Sequence, residues 1–308
     1  MIRPFRPEDA PALVALLRPL MPEWVMSERG LLHWVETVPE RACLAVWVAE
    51  DGGEVVGWSE AFLQWDVAEE GVAFIWLGIR PDARRRGLGG RLYELAEKHL
   101  RDVGARRVES FVTDDPDGAR FLLARGFSKT RSEQCWALDP RKVDPAKFGE
   151  LEGAKAVDGF RVLPLGAVRD RVEELFELFS VAHADVPSDH TPADTYEEWR
   201  KALWDYPDLD PDGSYVVFAD ERPVSFAWLA VDREGGRATH MMTGTAREFR
   251  QRGLARLAKL ATIRWARDNG ITALVTENDS ANRGMLTINA ELGYEPTRTL
   301  QHFAKDVA

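Results

Sequence analysis

The sequence has little cysteine and no long apolar run. Its only cysteines, Cys43 and Cys135, are too few for a disulfide framework and are typical of a reducing compartment. No apolar stretch approaches the roughly 20 residues that span a bilayer, and Met1–Arg6 does not begin a signal peptide. We therefore expect a cytoplasmic protein without a membrane partner.

Basic residues are also in deficit. The net charge is −11 and both halves of the chain are acidic, whereas nucleic-acid binding needs clustered Lys and Arg. The composition thus argues against nucleic acid as a partner and is compatible with a cationic substrate. At 308 residues, the chain is long enough for two domains, each with its own core.

Two landmarks recur at nearly constant spacing. The segment Arg84-Arg85-Arg86-Gly87-Leu88-Gly89 returns 166 positions later as Arg250-Gln251-Arg252-Gly253-Leu254-Ala255. Likewise, Gly126-Phe127 returns 167 positions later as Gly293-Tyr294. The repeat predicts a duplicated unit. We expect one domain over 1–140, a linker rich in Asp, Lys, Gly and Pro over 141–159, and a second domain over 160–308.

Each copy has the same predicted order of elements. A first strand is followed by two helices and three antiparallel strands, and the glycine motif then opens an amphipathic helix before a strand–helix–strand tail. In the second copy, the two early helices are predicted near 170–182 and 195–205. This order predicts an α/β (α+β) class: two tandem domains, each a mixed, mostly antiparallel sheet flanked by helices.

The glycine motif is suited to a phosphate group. Glycine lets the backbone approach a ligand, and the unpaired amides of the first helical turn carry the positive end of the helix dipole. Neither copy is a Walker A loop, and Leu92 replaces the third glycine of a dinucleotide fingerprint. A tight turn before an ordinary helix is the alternative, which the matching second copy disfavours.

The full spacing, apolar-x-apolar-x-Pro-x-x-Arg-x-x-Gly-x-Gly, resembles the fingerprint of the GNAT superfamily of acetyl-CoA-dependent N-acetyltransferases. The first copy matches it at Leu77, Ile79, Pro81, Arg84, Gly87 and Gly89. The second copy matches more loosely, at Thr243, Thr245, Arg247, Arg250, Gly253 and Ala255. The resemblance covers nearly the whole chain, in a tandem layout.

This resemblance implies a function and a set of cofactor contacts. An acetyl group would pass from acetyl-CoA (coenzyme A) to a primary amine of a small molecule by direct attack in a ternary complex. Strand ends would bind pantetheine and the glycine loops would bind pyrophosphate. The implied cofactor residues are Leu77, Ile79, Arg84, Arg85, Arg86, Gly87, Leu88, Gly89, Gly90, Thr243, Thr245, Arg250, Gln251, Arg252, Gly253, Leu254, Ala255, Asn282 and Asn289.

Many family members carry Glu-x-x-x-x-Asn, followed seven residues later by Tyr. The second copy has Glu277 and Asn282, but Asn289 replaces the tyrosine that acts as general acid. The first copy has Ser110, Asp115 and Leu122 instead. We therefore predict that the second copy carries out the reaction with Glu277 as base, and that the first is structural or binds CoA without turnover.

Several alternatives remain open. His240 is the second candidate base, although a strand histidine is more often packed, and Asp185 and His190 could bind the substrate ammonium or simply lie in a solvated loop. Most of the eleven tryptophans should be core, with one or two lining a pocket. We predict no metal site and a monomer or homodimer. A silent acyl-CoA sensor, a protein N-terminal or lysine acetyltransferase and an assembly scaffold are the rival functions.

Overall fold

The computed structural model describes residues 1–149, 151, 159–193 and 195–307. The predicted linker lies partly outside this set, since residues 150 and 152–158 are not described. Its described part contains two 3₁₀ turns, Pro140–Lys142 and Pro145–Phe148, and Phe148 is buried against the second half. No helix in the described ranges is long and apolar enough to cross a membrane.

The strands and helices follow the predicted order. The strands are β1 (Ile2–Pro4), β2 (Ala45–Asp51), β3 (Glu54–Leu63), β4 (Val72–Ile79), β5 (Arg107–Thr113), β6 (Ser128–Leu138), β7 (Phe160–Pro164), β8 (Tyr215–Ala219), β9 (Arg222–Asp232), β10 (Arg237–Thr245), β11 (Ala273–Asp279) and β12 (Glu295–Asp306). The helices are α1 (Ala10–Leu20), α2 (Glu28–Thr37), α3 (Leu88–Asp102), α4 (Pro116–Leu123), α5 (Val172–His183), α6 (Tyr196–Trp199), α7 (Leu254–Asp268) and α8 (Arg283–Leu292). The predicted helix at 195–205 is thus a short α6 that continues as a π-helical turn, Arg200–Trp204.

The twelve strands of the described residues form one sheet. Its order is β1-β2-β3-β4-β5-β12-β6-β11-β10-β9-β8-β7, so the last strand of each half lies in the other half's part of the sheet. Strand β12 pairs with β5, and β6 pairs with β11. The mixed α/β class with two flanked repeats is confirmed, while the exchange of final strands is an additional feature that joins the halves.

Helices cover both faces of the sheet in a regular way. Because side chains alternate along a strand, Ile75 and Trp76 face opposite sides. Ile75 packs with α3, the helix that follows the first glycine motif, whereas Trp76 packs with α1 and α2. The second half repeats this division, with α7 on one face and α5 and α6 on the other. The glycine loops therefore share one face of the sheet.

Candidate functional site

A gap opens in the sheet of each half. Parallel pairing of β4 with β5 covers Val72–Phe74, and that of β10 with β11 covers Arg237–Thr239. Beyond these pairs the strands separate, so the ends at 77–79 and 243–245 border a gap. In the second half, the pairing of β10 with β9 is irregular between His240 and Met242, where the gap begins. Unpaired strand groups at such a gap are available to a ligand.

Both glycine loops have the same backbone shape. Arg85 and Gly87 have φ values of 64° and 79°, and Gln251 and Gly253 have 62° and 76°. Left-handed residues in such a turn orient successive amides toward a concave anion site. Each glycine is the N-cap residue of the helix that follows it and offers no capping side chain. The space beside both glycines is open, since a Cβ there would have none of the described residues within 4 Å.

The arginines at matching positions of the two loops, Arg84 and Arg250, are held by the protein itself. Arg250 donates to the carbonyl of Thr245 at 3.1 Å and pairs with Asp185 at 2.6 Å. Asp185 also pairs with Arg247 at 2.7 Å, and these arginines lower the pKa of its carboxyl. The structure therefore places Asp185 beside the second glycine loop. In the first half, Arg84 is held in the same way by Asp115, at 3.2 Å.

A cavity of about 560 Å³ lies where the two halves meet. Six tryptophans line it, rather than the one or two that we expected. The first half supplies most of the wall, and the second half supplies α5, α6 and the strand residues next to its gap. The principal lining residues are Phe5, Trp24, Trp34, Trp58, Glu60, Phe62, Trp65, Phe74, Trp76, Phe111, Phe179, Trp199, Met241, Met242 and Glu277.

Glu277 stands on β11, next to the gap, and lines this cavity. Its Oε1 atom is buried and has no hydrogen-bond partner among the described residues. The indole of Trp24 hydrogen-bonds the carboxyl, but burial dominates and raises the pKa of Glu277 to about 8, with Glu133 and Glu23 adding to the rise. A carboxyl with this pKa can accept a proton near neutral pH.

Glu277 also lies close to two groups that could suggest a metal. A ligand atom from each of Glu23, Cys135 and Glu277 lies within 4.8 Å of the others. However, Glu23 is ion-paired with Arg298, and burial strongly raises the pKa of the Cys135 thiol. A protonated thiol is a poor metal ligand. We therefore assign no metal to this cluster.

Glu60 is a second buried carboxyl in the cavity, and the sequence reasoning missed it. It lies on β3 opposite Trp76, is 8% exposed and is hydrogen-bonded by Trp34. Burial raises its pKa to about 7. The sequence does contain one signal for it: Glu60 is a charged residue in the middle of the largely apolar strand Glu54–Leu63.

Replacing Glu60 with glutamine should stabilise the protein at alkaline pH. Because its folded-state pKa of about 7 exceeds the usual 4.5, the wild type loses stability as pH rises from 4.5 to 7. Glutamine keeps the acceptor for Trp34 without the charge. We expect a gain of at most about 3 kcal/mol at pH 8, a few degrees in Tm, and almost none at pH 4.5. Calorimetric Tm values at both pH values check this; an equal gain at both would contradict it.

The other candidate base, His240, lies outside the cavity lining. Its Nε2 is 2.8 Å from the Tyr294 hydroxyl, and burial followed by the nearby Lys259 lowers its pKa well below 6.5. Lys259 is itself buried, with its pKa lowered to about 7. It donates to Asn289 at 2.8 Å. These residues belong to α7, α8, β10 and the position just before β12, and none of them lines the cavity.

The remaining predicted residues are distributed around the site. Asn289 is fully buried and donates to Asn278 at 2.7 Å, so its side chain belongs to the Lys259 network. Asn282 caps α8 by accepting from the Met285 amide. His190 contacts Glu109 of the first half at 2.9 Å, next to a small polar pocket adjoining the main cavity.

The strand register corrects the predicted equivalence of Ser110 in the first half with Glu277 in the second. Arg107 and Ala273 occupy equivalent first pairs of β5 and β11, which makes Phe111, rather than Ser110, the counterpart of Glu277. The helix caps Asp115 and Asn282 are 167 positions apart, so the second half has one extra residue between strand and helix. Phe111 lines the cavity, as Glu277 does.

Comparison with known proteins finds acetyltransferases both by family model and by sequence similarity. The family model described as "Acetyltransferase (GNAT) family" matches residues 11–127 and 172–294. A mycothiol acetyltransferase of Kytococcus sedentarius is 29% identical over 225 residues, covering 70% of this chain and 69% of that protein. Another, of Thermobispora bispora, is 28% identical over 250 residues, covering 79% and 78%.

Solved structures share the architecture. A tandem GNAT protein from the clavulanic acid biosynthesis pathway has a TM-score of 0.72 at 19% identity, covering 99% of this chain and 98% of that one. A GCN5-related N-acetyltransferase from Sphaerobacter thermophilus has a TM-score of 0.68 at 18% identity, covering 99% and 95%. At this level of identity, the likeness shows the fold alone.

Proposed function

Since the chain belongs to the GNAT acetyltransferase family, we propose that it transfers an acetyl group from acetyl-CoA to a primary amine of a small molecule, with its second half carrying out the reaction. The observation that carries this proposal is the position of Glu277. It stands at the gap between β10 and β11, in the half with the glycine loop 250–255, and faces the shared cavity.

The residues of the second half fit acetyl-CoA as the donor. The left-handed residues Gln251 and Gly253 and the backbone amides at the start of α7 would hold the pyrophosphate. The ends of β10 at Thr243–Thr245 would pair with the pantetheine amides in the gap. When bound there, acetyl-CoA supplies the activated thioester carbonyl. The likeness to mycothiol acetyltransferases supports the same donor and an amine acceptor.

Glu277 would take the proton from the acceptor. The amine must be neutral to attack, and a buried carboxylate of raised pKa is a suitable base for an ammonium group. As the nitrogen–acyl bond forms, the carbon–sulfur bond breaks and the thiol leaves as thiolate. With Asn289 in the tyrosine position and buried, we assign no side chain as general acid; a thiol pKa of about 8.5 makes the thiolate a fair leaving group.

The size of the site favours a small acceptor. A cavity of about 560 Å³ is within the range of small-molecule sites. It lies between helices of the two halves, whereas a protein substrate would require a broad groove. A silent acyl-CoA sensor would bind acetyl-CoA without turnover, so binding and transfer need separate measurement.

Two matched glycine variants test which half binds the donor. Gly253 and Gly87 have nearly the same φ, and both begin a helix beside open space. The two substitutions to tryptophan should therefore cause similar backbone strain. Only Gly253→Trp, however, should block the second loop. We expect Gly253→Trp to weaken acetyl-CoA binding and lower kcat/KM by at least about tenfold, with transfer retained in Gly87→Trp.

Calorimetry with acetyl-CoA and thiol release from a panel of primary amines provide the two readouts. A wild type without binding heat would contradict the donor assignment. Loss of transfer in Gly87→Trp but not in Gly253→Trp would move the reaction to the first half. Binding by the wild type without transfer to any amine would favour the sensor.

A further inference from the structure

The first-half wall of the cavity is rich in packed aromatic rings. The ring centroid of Trp76 lies 4.4 Å from that of Trp24, 5.2 Å from that of Trp58 and 5.5 Å from that of Phe111. Further ring pairs extend the wall through Phe62, Phe74, Trp34 and Trp65. A polyhydroxylated amine needs a hydrogen-bond partner for every hydroxyl that it buries. Such a wall suits an apolar, preferably aromatic, body instead.

Two carboxyls flank the central ring pair of this wall. Trp24 hydrogen-bonds Glu277, and Glu60 is the cross-strand partner of Trp76. Trp24 and Trp76, whose ring centroids are 4.4 Å apart, therefore connect the carboxyl of the second half to that of the first through a chain of contacts. Both carboxyls line the same cavity, so one bound molecule that lies along these rings would face both of them.

These two carboxyls differ from other glutamates that line the cavity. Glu133 is ion-paired with Arg131, and Glu198 with an arginine of the first half. Within the described ranges, Glu60 and Glu277 form no ion pair with the protein. Each has a neutral indole as a hydrogen-bond donor. A buried carboxylate without an ion-pair partner is unfavourable, so both sites are complementary to a cationic ligand.

We propose that the acceptor is a diamine with an aromatic or otherwise apolar body, which places its reacting nitrogen at Glu277 and its second cationic group at Glu60. This assignment rests on the proposed function, because it takes Glu277 as the base of that reaction. The rings contribute contact area and attract the cations through their faces. Glu60 is then a specificity-determining residue that does not touch the reacting atoms.

Three amines test the assignment with the full chain: para-xylylenediamine, para-methylbenzylamine and glucosamine. The first two differ only in that a methyl group replaces the second aminomethyl group. We expect the diamine to have a kcat/KM at least about tenfold above that of the monoamine, and glucosamine to be the poorest substrate. Glu60→Gln should reduce the diamine preference to about twofold or less while largely sparing the monoamine.

The outcomes separate this assignment from the function on which it depends. Glucosamine as the best substrate, or an unchanged diamine preference in Glu60→Gln, would overturn the assignment and leave the transferase standing. Failure of all three amines together with a wider amine panel, with acetyl-CoA bound in calorimetry, would overturn both. A cooperative thermal transition of Glu60→Gln confirms that the variant is folded.

Discussion

Replacing Glu277 with glutamine should lower kcat by a factor of about 10² to 10⁴ while changing acetyl-CoA affinity by no more than about threefold. Glutamine has the same shape and can still accept the hydrogen bond from Trp24. It cannot take a proton from the acceptor amine. Steady-state kinetics together with calorimetric titration of acetyl-CoA separate the loss of catalysis from any loss of binding.

The pH profile gives this variant a second readout. Because burial raises the pKa of Glu277 to about 8, its basic form increases as pH rises through 8. We expect kcat/KM of the wild type to rise about tenfold per pH unit below 8 because of this group and to level off above it. Ionisation of the acceptor amine adds a second pH dependence to the kcat/KM profile, and the Glu277→Gln variant retains that dependence. The difference between the two profiles therefore belongs to Glu277.

The matched control is Glu295→Gln, an exposed carboxyl at the start of β12. It should retain wild-type rates and pH dependence. If Glu277→Gln also kept more than about a third of the wild-type kcat, the base would lie elsewhere and the assignment of the reaction to the second half would lose its main support.

Removing residues 295–308 should abolish the cooperative unfolding transition of both halves. Strand β12 lies inside the sheet, pairs with β5 and β6, and buries Leu300 and Phe303. Its loss leaves β5, in the first half's part of the sheet, and β6, in the second half's part, with unpaired backbone groups and exposed apolar surface. Circular dichroism melts and limited proteolysis of the first half measure the effect.

Deletion of the other terminal strand, which lies at the edge of the sheet, is the control for this truncation. Removing residues 2–4 deletes β1, which is a short edge strand paired with β2 alone. We expect that variant to unfold cooperatively with a lowered Tm. A first half that keeps its protease resistance without residues 295–308 would show that the exchanged strand does not stabilise it.

Local patterns in the sequence were sufficient for the repeat, the order of elements and both glycine loops. The loops could be predicted because glycine and a following apolar stripe are local signals, and the observed φ values of Gly87 and Gly253 agree with that reading. The strand exchange could not be predicted. A strand's pattern shows that one face is buried but does not identify its neighbour in the sheet.

The side chains of the site were harder to predict than the loops. The position of Glu277 beside a cavity stays consistent with its predicted role, whereas Asp185 turned out to pair with Arg247 and Arg250 of the glycine loop. Glu60 was missed because its importance depends on a helix from the same half and on a cavity formed with the other half. Such groupings arise from tertiary packing and leave little trace in one sequence.

The fusion of the two halves has an evolutionary consequence. The cavity at their junction draws Glu277, the proposed base, from one copy and most of its ring wall from the other. A mutation in either copy therefore alters the same ligand site, and the copies cannot specialise independently. The first copy has Phe111 where the second has Glu277. Under the proposed function it shapes the acceptor's surroundings, so new specificities in descendants of this chain should arise mainly from changes in its first half.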